Sequence, residues 1–170
     1  MALLPLVFYS HHPALHHPAE PVTQFDAALA ELIENMYETM YHEQGVGLAA
    51  PQVGIAKRIA TIDVTDDRSH RFCIINPEII EREGEALMEA GCLSIPGTRG
   101  KVPRATRVKV RAQDVKGNFF EIEGTDLLGH CLQHEIDHLN GKLFIDYFSP
   151  MKKRMSLKKM EKFLKHENNK

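Results

Sequence analysis

The chain has 170 residues, 43% hydrophobic and 26% charged, which suits one soluble domain with its own core. It lacks the run of about 18 apolar residues that a transmembrane helix needs, which excludes a helical membrane span. The formal net charge of −2 says little about partners, but the charge is unevenly spread. From Met151 onward eight Lys or Arg stand against two Glu, so a basic tail follows an acidic body. Such a tail suits either a solvated helix face or attraction to an anionic surface, nucleic acid included.

Three cysteines, Cys73, Cys92 and Cys131, are an odd number. The opening MALLPLVFYS is apolar in part but has no positively charged lead and no small-residue cleavage pattern. A reducing cytoplasm is the expected compartment, where a cysteine serves as metal ligand, nucleophile or core residue rather than half a disulfide.

In chain order, HHPALHHPAE (residues 11–20) reads as a polar surface loop, because its prolines interrupt regular ligand geometry, although its histidines could take up a metal adventitiously. Asp26 to Gln44 then reads as an amphipathic helix, with Leu29, Leu32, Ile33, Met36 and Met40 at helical spacing. Thr23 or Asp26 would cap its start and Gly45 would end it. From Lys57 to Arg111 the pattern changes to β-rich runs: RIATIDV, RFCIINPEI and KVPRATRVKVRA. Lys116-Gly117-Asn118 reads as a turn into FFEIE, giving a hairpin. Asp126 to Leu139 returns to helical spacing, with Gly141 just past its end, and a final helix follows Ser149-Pro150, with Leu157, Met160 and Leu164 on one side and Phe163 adjacent. An α+β fold over residues 1–170 follows.

The chemistry starts from QHEIDHLNG, residues 133–141. His134 and His138 are four apart, so on a helix both imidazoles face one side with Glu135 beside them. A catalytic site of this kind takes a third protein ligand and keeps one open position. A polar helix with merely exposed histidines is the plainer alternative. The downstream pattern HExxHxxGxxH matches through Gly141 and then fails at Phe144. Glu161 and Glu167 lie in the basic terminal helix, an uncomfortable place for a ligand, so the third ligand is expected upstream. Cys131 shares the helix of His134 and suits core packing, as does Cys73 in FCIIN. Cys92, in EAGCLSIPG, follows a strand in an irregular segment that can carry a thiolate to a metal; a buried structural cysteine remains the other reading. The glycines of GVGLAA also fit a dinucleotide-binding pattern, but that pattern should follow a strand and open a helix. Here a helix precedes it, and Pro51-Gln52 suits an extended segment.

GVGLAAPQ (45–52), GCLS (91–94) and QHEIDH (133–138) resemble, in order and in spacing, the motifs of the peptide deformylase family, and the resemblance spans essentially the whole chain. It implies short, mostly antiparallel strands around a central metal-binding helix, with an N-terminal and a C-terminal helix. It implies removal of the N-formyl group from the first methionine of new polypeptides, with release of formate. By the same resemblance Cys92, His134 and His138 hold one divalent metal, Fe²⁺ being favoured and Zn²⁺ also suited. Glu135 would be the general acid/base, and Gln52 with the backbone N–H of Leu93 would hold the formyl oxygen. The backbone of Gly47 would accept the formamide N–H, while Val46 and Gly91 pair with the peptide. Arg99 would meet the distal part of the substrate, and Gly45, Leu127, His130 and Cys131 would complete the substrate surface. A monomer is expected, with nascent formyl-methionyl chains as substrate and the ribosome as a partner of the basic helix 151–170.

Two positions depart from the family pattern. Ala90 precedes GCLS where an acidic residue is common, with Glu89 one position earlier. His130 stands where an apolar residue often lines the methionine pocket; it is either a satisfied histidine or a changed pocket surface. Asp137 either orients neighbouring groups or is exposed. Two other functions stay open: a zinc peptidase cutting internal amide bonds, and a ribosome-associated metal-binding protein with weak or no deformylase activity. The failed downstream completions weigh against the first. Glu135 and Gln52, which binding alone would not need, weigh against the second.

Overall fold

Helical spacing and one cap define the first element. In the computed structural model, which describes residues 2–9 and 12–168, α1 spans Ala27–His42 and buries Leu29, Ile33, Met36 and Met40 along one stripe. Asp26 caps it by accepting the Leu29 N–H at 3.0 Å, and the Gly45 N–H returns to the Met40 carbonyl at 2.9 Å. The strands β1 (Gly47–Ala49), β2 (Ile59–Ile62), β3 (Phe72–Glu83), β6 (Arg107–Gln113) and β7 (Phe119–Thr125) form one antiparallel sheet in the order β1-β2-β3-β6-β7. A second sheet pairs only β4 (Ala86–Cys92) with β5 (Ile95–Arg104).

Alternation decides which face each strand residue serves. On β6, Val108, Val110 and Ala112 are buried in the core beneath α2 (Asp126–Leu139), where Leu132, Ile136 and Leu139 meet them. Arg107, the first residue of the strand, turns outward to Glu81, Glu83 and Glu123 at 2.9–3.1 Å. On β2 and β3, Ile59 and Ile75 face α1 while Ala60, Ile62 and Ile74 face α2, so the sheet is covered on both sides there. The first turn of α2 lies directly on β7: a Cβ on Gly129 would stand 2.8 Å from the Gly124 carbonyl oxygen, a distance no side chain survives. A third cluster joins Leu15, Ile95, Val102, Phe144 and Met160, which seats α3 (Pro150–Asn168) on the β4–β5 hairpin. Among the described residues no helix is long and apolar enough to cross a membrane.

The turn at Asp114–Asn118 is the one the sequence indicates, with the Asp114 carboxylate accepting the N–H groups of Lys116 and Asn118. Four local expectations change. The run KVPRATRVKVRA is two strands, because β5 ends at Arg104 and the chain turns at Ala105-Thr106 into β6. EAGCLSIPG is not irregular: β4 continues to Cys92 and turns through Leu93-Ser94 into β5, with Cys92 opposite Ile95. Glycine and proline, which read as loop signals, sit here inside strands of a two-stranded hairpin whose unpaired edges tolerate them. Pro51-Gln52 is not extended but part of a 3₁₀ turn, Ala50–Val53, where proline at the start needs no N–H donor and the Gln52 side chain accepts the Ala49 N–H at 2.9 Å. Residues 11–20 are less polar in character than their histidines suggest, since a 3₁₀ turn over Pro13–His16 buries Ala14 and Leu15. His11, in that segment, and Asn169 and Lys170, at the end of the basic tail, lie outside the described residues.

Leu132, fully buried between α2 and the sheet, measures this packing. Leu132→Ala is expected to cost about 2–5 kcal/mol in urea unfolding; a loss well below that range would show a slack helix–sheet interface.

Candidate metal centre

The end of β4 and one face of α2 bring three ligand atoms together. Cys92 Sγ lies 3.3 Å from His138 Nε2, which lies 3.2 Å from His134 Nε2, and the three atoms all fall within 4.8 Å of one another. A tetrahedral ion with bonds of about 2.0–2.1 Å to nitrogen and about 2.3 Å to sulfur holds its ligand atoms roughly 3.3–3.6 Å apart. The two edges that meet at His138 Nε2 are close to that length, and the third, from Cys92 to His134, lies within 4.8 Å. His134 and His138 are buried, at 8% and 0% exposure. Burial holds the His134 ring far below the usual imidazole pKa and the His138 ring at about 4, so both keep lone pairs free for a cation. Burial pushes the Cys92 thiol up to about 12, and the Glu135 carboxylate adds to this, so the sulfur ionises only beside a positive charge.

The neighbouring groups are set by backbone placement. Glu135 is 3% exposed; burial raises its carboxyl to about 8, and its Oε1 is buried without a hydrogen-bond partner. Gly47 makes room for it. A Cβ there would stand 2.5 Å from Glu135 Oε2 and 2.8 Å from Cys131 Sγ, so β1 reaches α2 only because it carries no side chain at this point. Gln52 is 2% exposed, and its bond to Ala49 N–H fixes which end of the amide faces the ligands. Its Nε2 lies 3.4 Å from Cys92 Sγ and 3.5 Å from Ser94 Oγ. The Val46 carbonyl accepts the Asp63 N–H at 2.9 Å, which ties the approach to β1 to the edge of β2.

These groups open on one cavity of about 740 Å³. Its wall includes every site residue read from the sequence except His138, which lies beneath it: Gln52, Cys92, Leu93, His134 and Glu135 at the floor, Gly45, Val46, Gly47 and Gly91 along the strands, and Arg99, Leu127, His130 and Cys131 around them. Arg99, two-thirds exposed, pairs with Glu89 at 3.2 Å across the β4–β5 hairpin. That ion pair braces the hairpin one residue before Ala90, whose methyl is instead buried in the third cluster. Cys131 is 3% exposed and packs in the core while touching the cavity, and Cys73 is buried against α1. Among the described residues, the histidines of segment 11–20 join no cluster of metal-binding side chains.

Three residues that matter here carry no sequence signal. Arg104, its side chain 2% exposed, donates to Asp137 at 2.9 Å and to His130 Nδ1 at 3.3 Å. Tyr147 donates to the same Asp137 oxygen at 2.8 Å. Asp137 is therefore an orienting group rather than an exposed one. Lys159 of α3 reaches the cavity rim. Arg104 and Tyr147 stand 33 and 10 positions from Asp137, outside any local periodicity, and only the fold brings them to it.

A half-buried cysteine and two buried histidines, with a carboxylate next in sequence and an open cavity beside them, could hold one metal ion in the manner of a mononuclear hydrolytic centre. Comparison with known proteins narrows the class. The polypeptide deformylase family model matches residues 4–154. A peptide deformylase of Baumannia cicadellinicola subsp. Homalodisca coagulata is 46% identical over 166 residues, covering 98% of this chain and 99% of that protein. The crystal structure of a peptide deformylase from Legionella pneumophila superposes with a TM-score of 0.96 at 45% identity, over 99% of both chains. That of an Ehrlichia chaffeensis peptide deformylase in complex with actinonin gives 0.90 at 37% identity, over 95% of this chain and 98% of that one. The chain belongs to the polypeptide deformylase family of enzymes.

Metal capture through Cys92 is directly testable. Added Zn²⁺ is expected to raise the melting temperature of the parent and to remain bound through dialysis at one ion per chain. Cys92→Ala should show neither effect; an equal shift and equal metal content would remove Cys92 from the ligand set.

Proposed function

We propose that the chain acts as a single catalytic domain that removes the formyl group from the N-terminal methionine of nascent polypeptides, with Cys92, His134 and His138 as metal ligands. The observation that carries this reading is the convergence of those three side chains with Glu135 and Gln52, all but His138 lining one cavity, in a member of the deformylase family. Fe²⁺ is the favoured ion on family grounds and Zn²⁺ fits the same donors, since geometry and availability rather than donor type separate them.

A formamide is a poor electrophile and water a poor nucleophile. When bound, the cation supplies Lewis acidity, which polarises an amide oxygen and makes water acidic near neutral pH. The rest falls to the protein. Gln52, its Oε1 held by Ala49, presents Nε2–H to the formyl oxygen, and the Leu93 N–H donates to the same oxygen as negative charge grows there. Glu135 takes the proton of the attacking water through its unpartnered Oε1 and returns one to the leaving amine nitrogen. The backbone of Gly47 accepts the formamide N–H, while Val46 and Gly91, both in the cavity lining, pair with the peptide that follows. Arg99 meets its distal part. Gly45, Leu127, His130 and Cys131 enclose the first side chain.

Formate release from a formyl-Met tripeptide, by protein prepared without oxygen and loaded in turn with Fe²⁺ and Zn²⁺, tests the reading. Glu135→Gln is expected to lower kcat by about 10²–10⁴-fold while keeping its metal. No formate from folded, metal-loaded parent protein would move the function to binding.

The monomeric, cytoplasmic enzyme we envisage meets its substrate at the ribosome through α3. Its Lys152, Arg154, Lys158, Lys162 and Lys165 are exposed, whereas Met160 and Ser156 are buried against the hairpin. Deleting the helix would therefore uncover core, and neutralising its charges is the cleaner test. Replacing those five residues by Gln should abolish cosedimentation with ribosomes at low salt, because each basic side chain that meets a phosphate adds to an electrostatic attraction. Undiminished cosedimentation would dismiss the partner.

A further inference from the structure

Helix α2 brings one more polar group to the cavity than the reaction uses. His130 lies one turn before His134, the two ring centroids 6.0 Å apart, and it lines the wall beside Leu127 and Cys131. Its Nδ1 accepts the Nε–H of Arg104 at 3.3 Å. A guanidinium has only donors, so Nδ1 must offer its lone pair and the imidazole proton sits on Nε2. Arg104 cannot swing away to release this choice, because its side chain is 2% exposed and is held by Asp137, which Tyr147 holds in turn. Nε2 makes no hydrogen bond among the described residues, and it lies on the side of the ring away from Arg104. The cavity wall beyond the metal ligands therefore carries a fixed N–H donor.

A methionine side chain spans about 5–6 Å, the rise of one helical turn, so one that runs back along α2 from a formamide at the three ligands ends against His130 on the cavity wall. We propose that His130 is a specificity-determining residue whose Nε2–H, oriented by Arg104, takes a hydrogen-bond acceptor at the end of the first side chain, so that peptides beginning with formyl-methionine sulfoxide are substrates of this enzyme. The inference rests on the deformylase reading for where the formamide lies. A thioether sulfur is a weak acceptor, whereas oxidation adds an oxygen that accepts strongly at the same chain length. An apolar tip instead strips water from the N–H without replacing it, and sites built around a donor discriminate on that ground. The bond chemistry is unchanged: the formyl C–N bond breaks, water oxygen joins the formyl carbon, a water proton goes to the amine, and the sulfoxide is left intact.

The test compares formyl-methionine sulfoxide and formyl-norleucine tripeptides, which share a chain length and differ in the acceptor, on metal-loaded parent, His130→Ile and His130→Gln. The ratio of their kcat/KM values is read within each protein. Calorimetric binding of the two deformylated tripeptides gives a second ratio that needs no turnover. Both ratios are expected to fall about fivefold toward norleucine in His130→Ile, the worth of one ordinary hydrogen bond, and to be largely retained in His130→Gln, which keeps a donor. Nitrogen-15 NMR of the imidazole should place the proton on Nε2. Equal ratios in the parent and in His130→Ile, or a proton on Nδ1, would overturn the proposal. Should the parent release no formate from any peptide while the binding ratios shift as expected, the deformylase reading falls and the pocket donor stands.

Discussion

The site exists because β1 and α2 approach more closely than two ordinary backbone elements can. At Gly47 there is room for a hydrogen and no more, since a methyl group would enter the carboxylate of Glu135 and the sulfur of Cys131. The same economy recurs at the start of α2, where Gly129 lets the helix rest on Gly124 of β7. Two close approaches at separate points of one helix, one to its side chains and one to its backbone, fix its position along the sheet. Once α2 is fixed, the directions of His134, Glu135 and His138 follow from the helical repeat, and the hairpin needs only to deliver Cys92. Precision of a few tenths of an ångström is what metal ligation and aimed donors demand, and rigid elements supply it better than loops.

Burial serves chemistry as much as stability here. Removing His134 and His138 from water keeps them uncharged, which a cation requires of them, while the same removal opposes ionisation of Cys92 and Glu135. A cation is therefore the group that reconciles the cluster, since it favours the thiolate and the carboxylate together. Arg104 reaches the same helix from β5, bound to Asp137 and His130, and holds the side of α2 next to the ligands.

Much of this was legible in the sequence, and the part that was not has a common cause. The helices α1, α2 and α3, the Asp26 cap, the β6–β7 turn and the bounds of α2 follow from local periodicity and capping, which are read within a dozen residues. Most of the expected site residues that gather at the cavity come from three short contiguous motifs, with Arg99, Leu127, His130 and Cys131 outside them. Cys92 was placed correctly beside the histidines but on the wrong kind of segment, because glycine and proline inside a two-stranded hairpin look like a loop. Ala50–Val53 was misjudged because the Gln52 side chain that caps its turn is also the one that faces the ligands. Arg104, Tyr147 and Lys159 were invisible, since their roles depend on contacts across 10 to 33 positions or on the docking of α3. Leu15 was hidden among histidines, and one buried leucine in a polar stretch leaves no periodic trace.

The β4–β5 hairpin has a further consequence. It is a two-stranded sheet that pairs with no strand of the larger sheet and is held mainly by side-chain packing, with one backbone bond from the Tyr9 N–H to the Ser94 carbonyl at its turn; two strands by themselves are marginal in water. Cys92 at its tip and the histidines of α2 are separated by some forty residues of chain, so an ion shared between them is also a cross-link, closing a long loop much as a disulfide would. The hairpin is accordingly the unit of the fold whose opening is most sensitive to the ion. In hydrogen exchange, its amides would report metal occupancy well before the five-stranded sheet registered any change.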